Sequence, residues 1–348
     1  TKEVRAAIWE NRAEFVPSNY HQIPILWEEF IKPDVFYATV SPMDEHGYFS
    51  FGVSVSTSIT LKKVAKKIFL EVNENMPRTY GDTLIHISEV DAICECHRPL
   101  PEQSSGDISE IDNMIGNFIA ELVPNEATIQ LGIGSIPNAV AKSLSVKHNL
   151  GIHTELFTES MIDLIELGVV TNTKKNLHVG KSIATFALGT KRMYDFLNEN
   201  AGIEFYPVDY VNDPNTIGQK DNFISINSCL EVDLFGQVCS ESIGTKHFSG
   251  VGGQVDFVRG AAKSNGGKSI ITMQSTAKNG TISKIKSTLT LGSIVTTSRN
   301  EVDYIVTEYG VAKLRGKSLS QRAKALISIA HPDYREQLKY DARKINLL

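Results

Sequence analysis

Glu155 closes the short apolar stretch Leu150-Gly151-Ile152-His153-Thr154. A carboxylate delivered by the end of a buried strand is a candidate nucleophile for covalent catalysis. Two glycine-rich loops flank it in the chain. The first, Gln130-Leu131-Gly132-Ile133-Gly134-Ser135-Ile136-Pro137, follows strand-like sequence and opens a helix. Unhindered backbone amides at a helix N-terminus bind anions or a developing oxyanion. The second, Ser249-Gly250-Val251-Gly252-Gly253-Gln254-Val255, also runs into helix-like sequence. Its glycines permit close backbone approach to a ligand. Two such loops suit a substrate that carries both phosphates and a reactive carbonyl.

Other chemistries compete for the same residues. Gly132 and Gly134 fit the first two positions of a dinucleotide fingerprint, and Glu155 falls where a ribose-binding acid would lie. Pro137 stands where the third glycine is needed, which argues against it, and a purely structural turn remains open. Asn227 ends a strand and could offer its amide to a bound thioester. Glu231 and Asp233 alternate along a possible strand, where both could simply face water. Thr297-Ser298-Arg299-Asn300 and Thr307-Glu308-Tyr309-Gly310 end strands in polar residues, where open α/β sheets place ligands. His153, two residues before Glu155, would share its face in a strand and either orients the site or packs. Asp44 and His46 are explained by a turn containing Pro42 and Gly47, and His86 by packing in the core.

The elements that position these residues alternate. After a mixed start, with a helix ending near Glu14, strands are expected at 35–40, 48–55, 68–72 and 84–90, with a helix at 58–67. Pro99 to Gly106 is the clearest linker, dividing an N-terminal domain, 1–106, from a C-terminal domain, 107–348. Beyond it come a helix from 108 to 122, a strand at 127–131, a helix at 138–147, a strand at 150–154, a helix at 160–167, a strand at 182–188, a helix at 192–200 and a strand at 203–208. Further strands are expected at 223–227, 269–273, 293–297 and 303–307, and helices at 320–330 and 332–344 close the chain. Such alternation implies an open, largely parallel sheet covered by helices.

Composition narrows the class. With 348 residues, 41% hydrophobic and 22% charged, the chain has the make-up of a globular protein of two ordinary domains. A net charge of −5 without a concentrated basic stripe argues against a nucleic-acid partner; Lys62, Lys63, Lys66 and Lys67 fit a solvated helix face. Cys94 and Cys96 are too close for the usual zinc pair and have no second pair, so no metal is expected. All four cysteines are expected as reduced thiols of a cytoplasmic protein. No run of 18 apolar residues marks a membrane span. The chain starts at Thr1 without a methionine, which suggests a processed or truncated product.

The strings QLGIGSIPNAV from Gln130, GIHTELFTESMIDL from Gly151, INSCLEVDLFGQV from Ile226, SGVGGQVDFVRGA from Ser249 and TSRNEVDYIVTEYGVA from Thr297 together resemble the acetyl-CoA hydrolase/transferase family. The likeness is strongest to its 4-hydroxybutyrate CoA-transferase and butyryl-CoA:acetate CoA-transferase branch, and covers essentially the whole chain. Family members carry a further N-terminal segment, so the N-terminal domain is expected to be incomplete. The resemblance implies two open α/β domains of the CoA-transferase type with the active site between them, in a homodimer. It places the catalytic glutamate on Glu155. The oxyanion- and CoA-contacting loop falls around Gly252 and Gly253, and Asn227 lies near the covalent thioester. Gly250 of the same loop, and Gly132 and Gly134 by their place before a helix, are further candidate backbone donors. The implied reaction is ping-pong exchange of CoA between short-chain acyl-CoA and a free carboxylate, with coenzyme A as substrate and no cofactor. The alternative is a hydrolase using the same glutamate with water. Glu155→Ala is expected to fold and bind CoA while losing turnover by at least about 10³-fold, the scale of removing a covalent nucleophile; steady-state kinetics on the purified variant check this.

Overall fold

The computed structural model describes residues 2–104 and 106–348. Thr1 and, inside the expected linker, Ser105 lie outside the described residues. The order of elements is that of an α/β protein, and the expected alternation from strand 127–131 onward is present, with most elements shorter than expected.

The main sheet has six strands, in the order Gly310–Lys313, Tyr304–Thr307, Lys268–Thr272, Phe223–Ser228, Thr128–Leu131, Gly151–Ile152. All neighbours are parallel except the edge pair Tyr304–Thr307 with Gly310–Lys313. Strands of a parallel sheet are covered on both faces and therefore run as continuous apolar or buried stretches; Thr128–Leu131 is buried at every residue. A bridge between His153 and Ile183 carries the sheet onward to Ser182–Ala184, Ile203–Phe205 and Tyr80–Gly81, again parallel. From Thr128–Leu131 the chain winds one way, to Gly151–Ile152 and Ser182–Ala184. From Phe223–Ser228 it winds the other way, to Lys268–Thr272 and Tyr304–Thr307. The sheet thus has a topological switch point between Thr128–Leu131 and Phe223–Ser228, and a crevice opens at such a point beyond the carboxyl ends of the strands.

The N-terminal part has its own parallel sheet of Val35–Val40, Lys67–Val72 and Ala92–Glu95. Its core side chains Phe36, Val40 and Leu70 join one hydrophobic cluster with Ile129, Leu131 and Ile226 of the main sheet. A second cluster, including Val232, Ile271, Ile305, Leu326 and Leu338, lies under the C-terminal helices. Among the described residues no helix is long and apolar enough to cross a membrane.

Several expectations are corrected. The first helix ends at Trp9, not near Glu14. Only Tyr48–Ser50 of the stretch to Val55 pairs as a strand. Leu84–His86 stops early, because His86 caps a short turn of helix; its Nδ1 lies 2.7 Å from Ser88 Oγ, and its ring is half-buried rather than in the core. Residues 293–297 form no strand and make only one bridge, from Thr297 to Val238. Glu231 and Asp233 do lie on a strand but are buried. Glu231 accepts from Thr290 N, Thr290 Oγ1 and Ser293 Oγ at 2.7–2.9 Å, which is how a buried carboxylate is tolerated.

Two lysines are buried behind the sheet with carbonyl oxygens for partners. Lys175 Nζ donates to Ile152 O at 2.9 Å and to Lys181 O at 2.5 Å; Lys220 Nζ donates to Thr216 O at 3.0 Å. Burial pulls Lys175 down to about 7 and Lys220 to about 8 from 10.5. A lysine whose folded pKa is depressed releases its proton on folding between the two values, so its penalty is constant below about pH 8 for Lys220 and relieved as pH rises from there to 10.5. Lys220→Met is expected to raise the urea midpoint at neutral pH and to flatten the rise in stability across that window, read by denaturation at several pH values.

Candidate functional site

The switch-point crevice is where the flagged residues meet. A cavity of about 330 Å3 there is lined by Gln130, Gly132, Glu155, Asn227, Gly252 and Gly253 among others, and by Gly250 at its rim. Gly132 and Asn227 stand at the carboxyl ends of the two strands that flank the switch point. Two helices begin beside it. Ser135–Ser143 starts after Gly134, which takes φ 123° as its N-cap, and Pro137 is tolerated because it sits in the first turn. Gln254–Lys263 starts after Gly253. Gly134 itself is not among the residues that line the cavity.

Glu155 occupies a bend between Gly151–Ile152 and Leu156–Phe157. Its main-chain carbonyl accepts from Thr185 N at 3.0 Å and Phe186 N at 3.2 Å, so its backbone is fixed by the neighbouring strand. Its carboxylate, partly exposed to the cavity, accepts from Asn212 Nδ2 at 2.8 Å. Burial raises its pKa from 4.5 to about 7; the Asn212 amide opposes this, the negative charge of Asp256 adds to it, and the Gly253 backbone amide opposes it. A carboxylate poised near neutrality is basic enough to be a good nucleophile while a substantial fraction remains ionised at neutral pH.

The second glycine loop touches this carboxylate directly. A Cβ on Gly253 would overlap Glu155 Oε2 and Asn212 Nδ2. Gly252 adopts φ 57° with open space around it. Asn227 is held in a closed network. Its Oδ1 accepts from Gln130 Nε2 at 3.1 Å, and its Nδ2 donates to Gln130 Oε1 at 3.1 Å and Ser225 Oγ at 2.9 Å, so both amide protons are engaged. Gln254, beside the loop, donates to Thr297 Oγ1 at 3.1 Å. Among the strand-end polar residues, Glu308 accepts from Ser275 N and Oγ, and Thr307 Oγ1 donates to Ile329 O, both internal bonds. His153 is buried and is not among the cavity-lining residues. Among the described residues no group of three or more His, Cys, Asp and Glu side chains is placed to hold a metal ion.

The structure adds residues that the sequence hid. Asn212 lies in Asn212-Asp213-Pro214, where polar residues are accounted for by capping: Asp213 accepts from Asn215 N and Thr216 N at the start of Pro214–Gly218. Asp256 is fully buried in the first turn of Gln254–Lys263, paired with His21, whose Nδ1 lies 2.7 Å from Oδ1 and whose backbone N donates to Oδ2 at 3.1 Å. Tyr20 bonds Ser56 Oγ at 2.7 Å, and burial pushes its hydroxyl up to about 12, with the Glu155 charge adding to the rise. No spacing rule links residues 20, 21 or 212 to residue 155. The N-terminal segment also packs behind the glycine loop. Arg5 Nε donates to Phe248 O, Trp9 Nε1 donates to His247 O, and the Phe15 ring lies 4.0 Å from that of His247.

The profile of the acetyl-CoA hydrolase/transferase N-terminal domain matches residues 1–100, and that of the acetyl-CoA hydrolase/transferase C-terminal domain matches residues 189–342. The chain is 54% identical to succinyl-CoA:cyclohexane-1-carboxylate CoA transferase of Geobacter metallireducens, covering 98% of this chain and 78% of that one. It is 51% identical to 4-hydroxybutyrate coenzyme A transferase of Clostridium kluyveri, covering 98% and 80%. The crystal structure of RipA from Yersinia pestis superposes with a TM-score of 0.94 at 46% identity, covering 99% of this chain and 79% of that one.

Gly253 has φ −89°, so a side chain there costs no backbone strain and acts by collision with Glu155 and Asn212 and by pressing on the Phe257 ring. Gly253→Val is expected to lower turnover by about 10²-fold or more, the scale of losing one preorganised donor, and to lower the melting temperature modestly through overpacking; parallel kinetics on the still-folded variant and melting curves check it.

Proposed function

Because the chain belongs to the acetyl-CoA hydrolase/transferase family, we propose that it is a CoA-transferase that exchanges CoA between a short-chain acyl-CoA and a free carboxylate, with Glu155 as the covalent nucleophile. The observation that carries this reading is the Glu155 carboxylate, desolvated to a pKa of about 7 and held by Asn212 against a loop with no side chain at Gly253.

The chemistry follows from that arrangement. A Glu155 oxygen attacks the thioester carbonyl, forming a tetrahedral oxyanion. The C–S bond breaks, leaving an acyl-glutamyl anhydride and CoA thiolate. The thiolate attacks the glutamyl carbonyl, the anhydride C–O bond breaks, and the first acid departs as its carboxylate while the enzyme keeps CoA as a glutamyl thioester. An incoming carboxylate runs the same steps in reverse, so thioester energy is conserved and kinetics are ping-pong. Backbone amides of Gly250, Gly252 and Gly253 are the donors nearest the oxyanion, with Gly132 across the cavity. Asn227, fixed by Gln130 and Ser225, shapes the wall against which the thioester lies. Binding of the remote nucleotide and pantetheine contributes to the reacting centre. Acetyl-, butyryl- and 4-hydroxybutyryl-CoA, with acetate as acceptor, are the substrates in this reading. Coenzyme A enters as substrate, and no step calls for a metal or resident cofactor. The protein acts as a cytoplasmic homodimer, a location in keeping with four unpaired cysteines. Hydrolysis by the same glutamate is the second reading, supported by the family's breadth.

Acyl-CoA supplied with acetate is expected to yield acetyl-CoA rather than only free thiol. Acyl-CoA without an acceptor is expected to load the enzyme, after which borohydride inactivates it and reduces Glu155 to the alcohol, seen by peptide mass spectrometry. Acyl-CoA-dependent modification at any other residue, or an active enzyme with none, removes the covalent role of Glu155.

A further inference from the structure

His153 and Glu155 grip one dipeptide from two sides. His153 Nε2 lies 2.7 Å from the carbonyl oxygen of Val211. The next residue, Asn212, donates Nδ2 to Glu155 Oε2 at 2.8 Å. Val211 ends the short helix Val208–Val211 and Asn212 is its C-cap, its N–H bonded to Val208 O, so the two bonds clamp one rigid turn. A carbonyl only accepts, so Nε2 must carry the proton, and Nδ1 is left as a bare acceptor. Among the described residues that Nδ1 is buried with no partner, and the ring is fully buried. An unpartnered buried acceptor costs about 1–3 kcal/mol, which an apolar side chain of similar size would avoid. Burial first, then the charges of Lys220 and Lys175, hold the ring well below its ordinary value and thus neutral. The ring packs edge-on against Phe223 at 6.1 Å, which an apolar side chain could also do. What an apolar side chain cannot supply here is the long-reach donor to Val211 O.

We propose that His153 is a positioning residue for Glu155: its Nε2–H fixes the Val211 carbonyl and thereby aims the Asn212 amide at the nucleophilic carboxylate. This rests on the reading of Glu155 as nucleophile and adds to it the device that orients its hydrogen-bond donor. Asn212 Oδ1 is itself buried without a partner among the described residues, so the amide is held from the backbone side, through Val211, rather than by a second bond to its own oxygen.

The consequence is visible in pH. The groups acting on Glu155 are the Asn212 amide, Asp256, the Gly253 amide and Tyr20; those facing His153 are Lys175, Lys220 and His178. The Asn212 bond favours the ionised carboxylate, so its loss moves the acid limb of kcat/KM to higher pH. The experiment compares His153→Leu, His153→Gln, His153→Asn, Asn212→Ala and the His153→Leu/Asn212→Ala pair in the full chain, with Glu155→Ala as control. Removing the donor is expected to lower kcat by up to about 10²-fold, the scale of a misplaced catalytic group, to leave KM for acyl-CoA unchanged and to raise the acid limb. His153→Gln, whose amide reaches the Nε2 position, restores both; His153→Asn, polar but too short, does not, and carries the test should His153→Leu fail to fold. The paired variant is expected to be no worse than Asn212→Ala alone, the mark of one pathway. An unmoved acid limb in both His153→Leu and His153→Asn, or additive losses in the pair, overturns the positioning role while an inactive Glu155→Ala leaves the nucleophile reading standing. Turnover by Glu155→Ala overturns both.

Discussion

A carboxylate taken out of water beside a backbone stripped of side chains is the arrangement on which the rest of this molecule depends. Moving a charge from water into a protein interior is costly unless it is paired or hydrogen-bonded. Glu155 receives only partial compensation. The Asn212 amide and the Gly253 backbone favour its charge, while Asp256 opposes it. The balance leaves the group near neutrality, where it has the basicity of a strong nucleophile without being locked in its protonated form. Full neutralisation by a buried cation would have made it a stable ion pair and a poor attacker. Asp256 is kept from dominating by His21, which bonds both of its oxygens.

The sheet topology brings these opposing groups together. Strand order reverses between Thr128–Leu131 and Phe223–Ser228, so the chain leaves the two strands in opposite directions, and the crevice between them is lined by Gly132 and Ile133 of the first glycine loop and by Gly252 and Gly253 at the start of helix Gln254–Lys263. Glu155 enters from a third direction, at the place where the main sheet is bridged through His153 and Ile183 to the smaller strands. Its main-chain carbonyl is tied to Thr185 and Phe186, which leaves side-chain torsions as its freedom of movement.

Much of this was legible in the sequence, and the limits have physical causes. Apolar runs bounded by glycine or polar residues located the parallel strands, because burial on both faces demands them. The glycine loops and the apolar run ending at Glu155 were readable because each needs a residue type that little else explains. Most elements came out shorter than their patterns, since periodicity extends into capping turns, as at His86, whereas the helix expected from 138 begins three residues earlier, at Ser135. The stretch 293–297 has strand composition but lies beside buried Glu231, whose donors are Thr290 and Ser293. Asn212, Asp256 and His21 could not be linked to Glu155 from spacing. They converge only through long-range folding, and local turn and helix roles already accounted for their polarity.

The second glycine loop is a partition with something on each side. On one side is the cavity at Glu155; on the other is an apolar recess of about 360 Å3 framed by Phe15, Tyr20, Ile23 and Trp27, and Gly250, Val251 and Gly252 border both. A partition of two glycines around Val251 is only as stiff as its backing, and here the backing is residues 15–31. A substitution or a proteolytic nick in that segment therefore reaches Glu155 through a single thickness of backbone. Residues 15–27 are thus the wrong place to insert a handle, and turnover is the property that would register the choice.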